Sequence, residues 1–247
     1  MAVTTSISWT GSTWNPWQGC TKVSPGCANC YAETLLDHRY HRVRWGKGNP
    51  RLKTKTWRDP IKWNASQPKG HRVFVASLAD IFDAEVDPAW LGEVLDLMAK
   101  CQNLRFLVLT KRVEEAAKRL PTLVAARGGW TNFSHLWLGC TAENQAMWDL
   151  RVPILMGIPG VAKTFVSVEP QLGPIDPVPL GLKPGWIIVG GESGRHHRDL
   201  LPDWPIPLRN FAACNGIPFF FKQWGGVRPK EQGKLLQGIE WCQTPQP

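Results

Sequence analysis

The stretch Leu104–Leu120, LRFLVLTKRVEEAAKRL, decides the fold class that this sequence predicts. Its first six residues are apolar apart from one arginine, which is typical of a parallel strand buried on both faces. Thr110, Lys111 and Arg112 follow as a polar turn, and the residues after them have the pattern of an amphipathic helix. The stretch therefore predicts a strand, a polar turn and a helix in succession.

The same unit recurs along the whole chain. Further strands are predicted at Ser6–Thr10, Arg72–Leu78, Leu136–Cys140, Thr164–Val168, Trp186–Val189 and Ile217–Phe221. Helices are predicted over Tyr31–Trp45, Pro88–Cys101, Arg112–Leu120, Glu143–Ile158 and Pro202–Cys214, with Asp87 capping the second of them. Six or seven such units in 247 residues favour an α/β fold, a partial or complete (β/α) barrel formed as one domain over residues 1–247.

Composition limits the class of protein. The chain is 43% hydrophobic, and no run approaches the roughly 18 unbroken apolar residues of a membrane helix. Met1–Ile7 lacks the charged and apolar regions of a signal peptide, so we expect a cytoplasmic protein without membrane association. Thiols persist in that compartment. Seven cysteines, three of them crowded into Cys20–Cys30, therefore indicate metal chemistry before disulfides.

The net charge of +9 is concentrated in residues 38–72, a basic insertion in the predicted barrel. This segment holds eleven Lys or Arg and one acid, whereas the rest of the chain holds 18 bases and 19 acids. Aromatic residues interleave with the charges: Tyr40, Trp45, Trp57 and Trp63. The pattern favours nucleic acid as partner, DNA before RNA, or a nucleotide. The side chains expected to contact phosphates are Arg51, Lys53, Lys55 and Arg58. A solvated loop whose tryptophans pack on the domain is the alternative.

Polar side chains follow each predicted strand. The carboxyl ends of barrel strands form the mouth where sites are assembled, so these groups predict a site for a polar ligand. Helix capping explains Asp80 and Asn144 equally well. It explains poorly the charged side chains at the other strand ends: Lys111, Glu169, Glu192 and Lys222.

The strongest local signal is GCTKVSPGCANCY at residues 19–31, a Cys-x6-Cys-x2-Cys arrangement in the loop after the first strand. Cys27 and Cys30 have the spacing to hold one metal ion or two irons of one cluster. The turn-forming sequence Ser24–Gly26 is expected to fold Cys20 back toward them. Three convergent thiolates are therefore predicted at the barrel mouth.

The metal itself has two candidates. No fourth cysteine lies near the motif, and three cysteines on a [4Fe–4S] cluster leave one iron open to a cofactor or substrate. Zinc is the alternative, because His38 or His41 would complete a tetrahedral Cys3His site. The remaining cysteines are expected to be buried thiols: Cys101, Cys140, Cys214 and Cys242.

Several longer motifs carry a family resemblance. They are Trp9-Thr10, Thr13–Pro16, Gly19–Glu33, Leu109–Arg112, Ser167–Pro170, Gly190–Gly194 and Phe219–Gly225. In this order they resemble the phage-encoded three-Cys-motif proteins, which look like radical S-adenosylmethionine (SAM) enzymes. The resemblance runs from about Ser8 to Gly225. Six residues separate the first two cysteines here, where most radical SAM enzymes have three.

The resemblance implies a barrel of the radical SAM type with two cofactors, a [4Fe–4S] cluster and SAM. Its implied reaction is hydrogen-atom abstraction from a nucleic acid or nucleotide, for base modification or repair, with flavodoxin or ferredoxin as electron donor. The implied cluster ligands are Cys20, Cys27 and Cys30. The implied SAM-binding residues are Ser77 and Asp80 for the amino group, Thr141, Glu143 and Asn144 for the ribose, and Ser167 with Glu169 for a further edge.

The implied catalytic residues are Lys111, Glu192 and Lys222. Residues expected to face the substrate are Ser193, His196, His197, Gln223 and Trp224. Two other functions stay open on the sequence. One is a zinc-stapled nucleic-acid-binding protein without catalysis. The other is a radical SAM enzyme that acts on a peptide or small metabolite.

Overall fold

The computed structural model describes residues 5–161, 163–228 and 231–246. Seven strands form its main sheet: β1 Ser12–Trp14, β2 His71–Val75, β3 Leu104–Thr110, β4 Leu136–Thr141, β5 Thr164–Val168, β6 Ile187–Val189 and β7 Phe219–Phe221. They are short and mostly buried on both faces, as near-continuous apolar sequences predict.

The sheet is parallel, and its strands lie in the order β1-β2-β3-β4-β5-β6-β7. In the register, Ser12 pairs with Val73, Val73 with Phe106, and Ile187 with Phe219. Because spatial order follows chain order without a reversal, the sheet is compatible with a partial β/α barrel and differs from a doubly wound sheet. The expected α/β class is thus confirmed.

In the described part of the chain, six α-helices accompany the strands: α1 Tyr31–Glu33, α2 Asp59–Ser66, α3 Pro88–Lys100, α4 Val113–Ala125, α5 Gln145–Met156 and α6 Pro205–Cys214. The cap predicted for α3 is present, because the Asp87 side chain accepts a hydrogen bond from the Ala89 N–H. The pattern after β3 also predicted α4 correctly, although that helix continues to Ala125.

Two predicted elements differ from the structure, one in its position and one in where it ends. Residues Ser6–Thr10 form no strand; the first strand is Ser12–Trp14, because the Thr10 hydroxyl turns back to the carbonyls of Ser12 and Arg72. The helix predicted over Tyr31–Trp45 is shorter. After α1 it continues as a π-helix over Thr34–Arg39, and His41 then adopts a left-handed backbone with φ 49°.

The basic segment, residues 38–72, is more ordered than a solvated loop. Leu52–Lys53 pairs antiparallel with Trp17–Gln18, and α2 forms from the residues after it. Arg72 lies at the amino end of β2. That end of the segment is therefore at the opposite end of the strand from the expected mouth.

The chain divides into two compact units. The first comprises the residues up to Val23, Ala32–Leu138 and Ile158–Lys163. Its core is built on tryptophan packing: the Trp14 ring lies 6.0 Å from Phe106, and Trp17 lies 6.0 Å from Trp90. Burying such large aromatic side chains provides the main stabilisation of this unit.

The second unit comprises Ser24–Tyr31, Gly139–Gly157 and the chain from Thr164 onward. Its core holds the fully buried Phe165, Trp186 and Phe221. Gly191 is required here, because a Cβ at that position would lie 1.9 Å from the carbonyl oxygen of Trp224. Gly191 thus approaches the protein's own backbone. The prediction of a single domain stays a prediction.

No helix in the described part of the chain has both the length and the apolarity needed to cross a membrane.

Candidate functional site

The three-cysteine loop is divided between the two units. Cys20 belongs to the first unit, and Cys27 and Cys30 belong to the second. All three side chains are half-buried, and none of the seven cysteines is in a disulfide. Within residues 5–161, 163–228 and 231–246, no group of three or more His, Cys, Asp or Glu side chains is placed to hold a metal ion. Convergence of the three thiols therefore stays a prediction.

In the first unit, Cys20 contacts a buried charge network. The Arg112 guanidinium donates from Nη1 to the Cys20 Sγ at 3.4 Å and from Nη2 to the Thr21 carbonyl at 2.7 Å. It also lies 3.2 Å from Asp80 and 3.7 Å from Asp83. Burial, with the nearby carboxylate of Asp80, raises the pKa of Cys20 to about 12, and Arg112 opposes that rise. Arg112 is therefore the cation that would offset the charge of a thiolate at this sulfur.

Asp80 connects the carboxyl ends of β2 and β3. One of its oxygens accepts from the Thr110 hydroxyl at 2.7 Å, and the other accepts from the Lys111 N–H at 2.9 Å. Ser77, also after β2, exchanges hydrogen bonds with the Asn15 side chain. Both residues were predicted to hold the amino group of SAM, and both have partners within the protein.

Arg51 is buried in the same network. Its guanidinium lies 2.8 Å from Asp83, and both side chains are only 1% exposed. It also donates to the Thr21 hydroxyl and to the carbonyls of Gly46 and Asn49. These internal contacts occupy the guanidinium that was predicted to bind phosphate.

In the second unit, Glu143 holds the cysteine loop. Its Oε1 accepts from the Gly26 N–H at 2.9 Å, and its Oε2 accepts from Arg151 at 2.9 Å. Burial would raise the pKa of this carboxyl, but bonds from Ser24, Arg151 and Gly26 lower it overall. A Cβ at Gly26 would lie 3.0 Å from the Glu143 carboxyl carbon, so the close contact favours glycine.

Glu192 holds the same loop from the end of β6. Its Oε2 accepts from Asn29 at 2.9 Å and from the backbone and Nε of Arg198. Arg198 in turn donates to the Pro25 carbonyl at 3.0 Å, and Asn29 donates to the His196 carbonyl. These bonds lower the pKa of Glu192 against the effect of its burial. Two strand-end carboxylates thus position the segment that carries Cys27 and Cys30.

A further ion pair lies at the ends of β5 and β7. The Lys222 Nζ is 2.9 Å from Oε1 of Glu169, and Ser167 donates to the other oxygen at 3.3 Å. A Cβ at Gly190 would lie 2.7 Å from the same Oε1, so glycine makes room for the carboxylate. Both charged side chains are half-buried and reachable by solvent.

The other predicted residues of the second unit have structural contacts. Asn144 caps α5 by accepting from Met147 N–H, and the Thr141 carbonyl accepts from Arg151. Gln223 donates to Ser193 at 2.7 Å. Trp224 donates to the Leu235 carbonyl. His197 contacts the Gly194 carbonyl and Asp199, whereas His196 is exposed.

The aromatic residues of the basic segment divide into two groups. Trp45 and Trp63 are buried in the core, and the half-buried Trp57 packs on Trp17 and Trp90. Tyr40 is exposed, with the guanidinium groups of Arg39 and Arg42 within 5.4 Å of its ring centre. Lys53 is exposed but pairs with Glu93 at 2.7 Å. The remaining predicted phosphate contacts, Lys55 and Arg58, are exposed.

Sequence reasoning missed the residues that hold the loop: Asn29, Asp83, Arg112, Arg151 and Arg198. Arg112 had a signal, because it follows Lys111 in the polar turn after β3. The expectation of four buried thiols outside the motif is half right, since Cys101 and Cys140 are buried while Cys214 and Cys242 are exposed.

The fold and the charged loop describe an α/β protein with polar networks at the strand ends. The chain belongs to the family described as protein of unknown function (DUF5131), whose family model matches residues 4–245. No curated protein and no solved structure matches the chain.

Proposed function

We propose that this protein is a radical SAM enzyme whose Cys20, Cys27 and Cys30 ligate a [4Fe–4S] cluster and whose substrate is a nucleic acid or nucleotide. The observation that supports it best is that charged side chains from the strand ends bond to the cysteine-bearing loop. Arg112 bonds to Cys20 in the first unit, and Glu143 and Glu192 bond the segment with the other two cysteines in the second. These contacts hold in place the segments that carry the three cysteines, as a loop whose thiols bind a cluster requires.

The donor set fits an iron–sulfur cluster by its chemistry. It provides three thiols, none of them in a disulfide, and iron–sulfur clusters take thiolate ligands. When bound, the cluster would supply the electron that cleaves SAM, and the radical so formed would take a hydrogen atom from the substrate. Flavodoxin or ferredoxin would be the donor of that electron.

The contacts refine the predicted roles. Glu143, Glu192 and Asp80 use their carboxylate oxygens on the protein itself, so we assign them to positioning the loop and the strand ends. The proposed SAM contacts remain Ser77, Thr141, Asn144, Ser167 and Glu169. Of these, Ser77, Asn144 and Glu169 would exchange a bond within the protein for one to SAM. Lys222 and Lys111 are kept as catalytic candidates, because both are half-buried at strand ends.

Nucleic acid is proposed as the substrate class because of the exposed cations in residues 38–72. Arg39 and Arg42 flank the exposed ring of Tyr40, and Lys55 and Arg58 are exposed farther along the segment. Cations next to an accessible aromatic face bind phosphates while the ring stacks on a base. A positively charged surface of this kind would bind a nucleic-acid strand through its phosphates.

Metal analysis of the protein purified without oxygen tests the proposal. We expect iron and sulfide in the parent protein, and loss of both in Cys20→Ala, Cys27→Ala and Cys30→Ala. Cys214→Ala is the matched control, because that cysteine is exposed and outside the loop. A colourless protein with one zinc would replace the proposal by the non-catalytic zinc-stapled binder. Iron with no salt-sensitive DNA binding would favour a peptide or small-metabolite substrate.

A further inference from the structure

A second charged cluster lies in the first unit, at the amino ends of the strands. Arg72 of β2 and Arg105 of β3 are register partners, so two arginines stand side by side on neighbouring strands. Lys163 precedes β5, and its carbonyl accepts the N–H of Leu138 in β4. The three cations come from three different strand beginnings, and all three are half-buried.

Trp137 of β4 joins the cluster. The guanidinium carbon of Arg105 lies 5.3 Å from the Trp137 ring centre, and the Lys163 Nζ lies at the same distance. The ring is 3% exposed, so it is a fixed surface against which both cations rest. Cation–π contact holds the charges in place, but it does not neutralise them.

Among the described residues, no carboxylate balances these charges. Within the described ranges, none of Arg72, Arg105 and Lys163 has an ion pair. Burial lowers the pKa of all three, and repulsion from Arg105 lowers those of Arg72 and Lys163 further. Like charges placed opposite each other on paired strands destabilise a sheet. The cluster is therefore an arrangement that an anion would stabilise.

We propose that Arg72, Arg105 and Lys163 form a binding site for a phosphate group. Guanidinium groups bind phosphate oxygens through two parallel N–H bonds, and a lysine adds a point charge. Inorganic phosphate or a phosphate monoester carries about 1.5 to 2 negative charges at neutral pH, which offsets three cations better than a single carboxylate does. The site is at the opposite ends of β2 and β3 from Asp80 and Arg112, and it is independent of the proposed function.

Titration calorimetry with inorganic phosphate at constant ionic strength tests the site. We expect saturable binding to the full chain, weakened about tenfold or more in Arg105→Gln and in Lys163→Gln. The matched control is Arg209→Gln. Arg209 also lies over a tryptophan ring, at 5.2 Å from Trp241, but its N–H groups bond to Asn210 and Gln237. Its replacement should leave phosphate binding unchanged.

The results decide the proposal in either direction. Absence of saturable heat in the parent protein, or equal binding in all three variants, would overturn it. If Arg105→Gln does not fold, Lys163→Gln decides alone, because Lys163 lies outside a strand. A single-stranded oligonucleotide is then titrated to identify the source of the phosphate. Parallel loss of both ligands in the variants indicates a nucleic-acid backbone, and loss of inorganic phosphate alone indicates a small phosphorylated ligand.

Discussion

The two ends of β2 and β3 differ in how their charges are balanced. At the carboxyl ends, Arg112 is surrounded by the carboxylates of Asp80 and Asp83. At the amino ends, Arg72 and Arg105 stand together with no carboxylate partner in the described structure. A balanced cluster can position a loop without help, whereas an unbalanced one gains from an external anion. The presence of carboxylate partners thus distinguishes the cluster that stabilises the fold from the cluster that we propose binds an anion.

The largest effect is expected from breaking the balanced end. Asp83→Asn leaves the buried guanidinium of Arg51 without its carboxylate, and removing one partner of a buried pair costs about 3–5 kcal/mol. Urea unfolding measures the loss. Glu93→Gln, which breaks the exposed pair with Lys53, is the control and should cost about 0–1 kcal/mol. Similar costs for the two variants would mean that the network around Arg112 contributes no more than surface charge.

The ion pair between Glu143 and Arg151 in the second unit should make the stability of the protein depend on pH in the acid range. The pKa of Glu143 is lower in the folded protein than its ordinary value of 4.5, so its stabilisation is complete above that pH and is lost as the pH falls below it. Glu143→Gln should cost about 1–3 kcal/mol at neutral pH, because the bonds from Gly26 and Arg151 weaken.

The pH dependence provides the control for that variant. Below pH 4.5, unfolding midpoints of the parent and of Glu143→Gln should converge, since the parent carboxylate becomes protonated. Glu114→Gln, at an exposed position in α4, should not change the acid profile. A constant gap between parent and Glu143→Gln from pH 7 to pH 3 would show that charge at Glu143 is not what holds the loop.

The smallest effect on stability is expected at exposed, unbalanced cations. Replacing Lys55 and Arg58 together by Ser should change the free energy of unfolding by no more than about 0.5 kcal/mol. The same change should flatten the log–log salt dependence of DNA affinity by about 1.8 for duplex or 1.4 for single strands. Fluorescence anisotropy with a labelled oligonucleotide measures both slopes.

Exposed cations outside the segment are the control. Lys118 and Arg228 are exposed and pair with Glu115 and Glu231, so their replacement by Ser should leave the slope unchanged. If that control flattens the slope as much, DNA binding is spread over the surface rather than placed on residues 38–72.

Local pattern predicted the strands and helices well because burial imposes its period on neighbouring residues. It also placed charged side chains at the carboxyl ends of the strands. It did not identify their partners, since those contacts are remote in sequence: Glu143 meets Gly26 across 117 residues, and Arg112 meets Cys20 across 92. Nothing local distinguishes Arg51, which is buried, from Lys55, which is exposed. For that reason the sequence predicted a phosphate contact for Arg51, whose guanidinium bonds within the protein.

The cluster of Arg72, Arg105 and Lys163 cannot be predicted from local sequence pattern. In the sequence, Arg72 belongs to the basic segment, and Arg105 is the single charged residue of an apolar strand. Only strand pairing brings the two together, and only the register makes them partners. A cluster of charges that are far apart in sequence can therefore be recognised only when the strand order and register are known.

Electron paramagnetic resonance of the reduced, oxygen-free protein tests the central claim most directly. If Cys20, Cys27 and Cys30 hold a [4Fe–4S] cluster with an open iron, the reduced protein should give a cluster signal that changes when SAM is added. The change should persist in Cys214→Ala and be absent from Cys27→Ala, which should have no cluster signal. A signal that is identical with and without SAM, or a parent protein that contains no iron after reconstitution, would contradict the account.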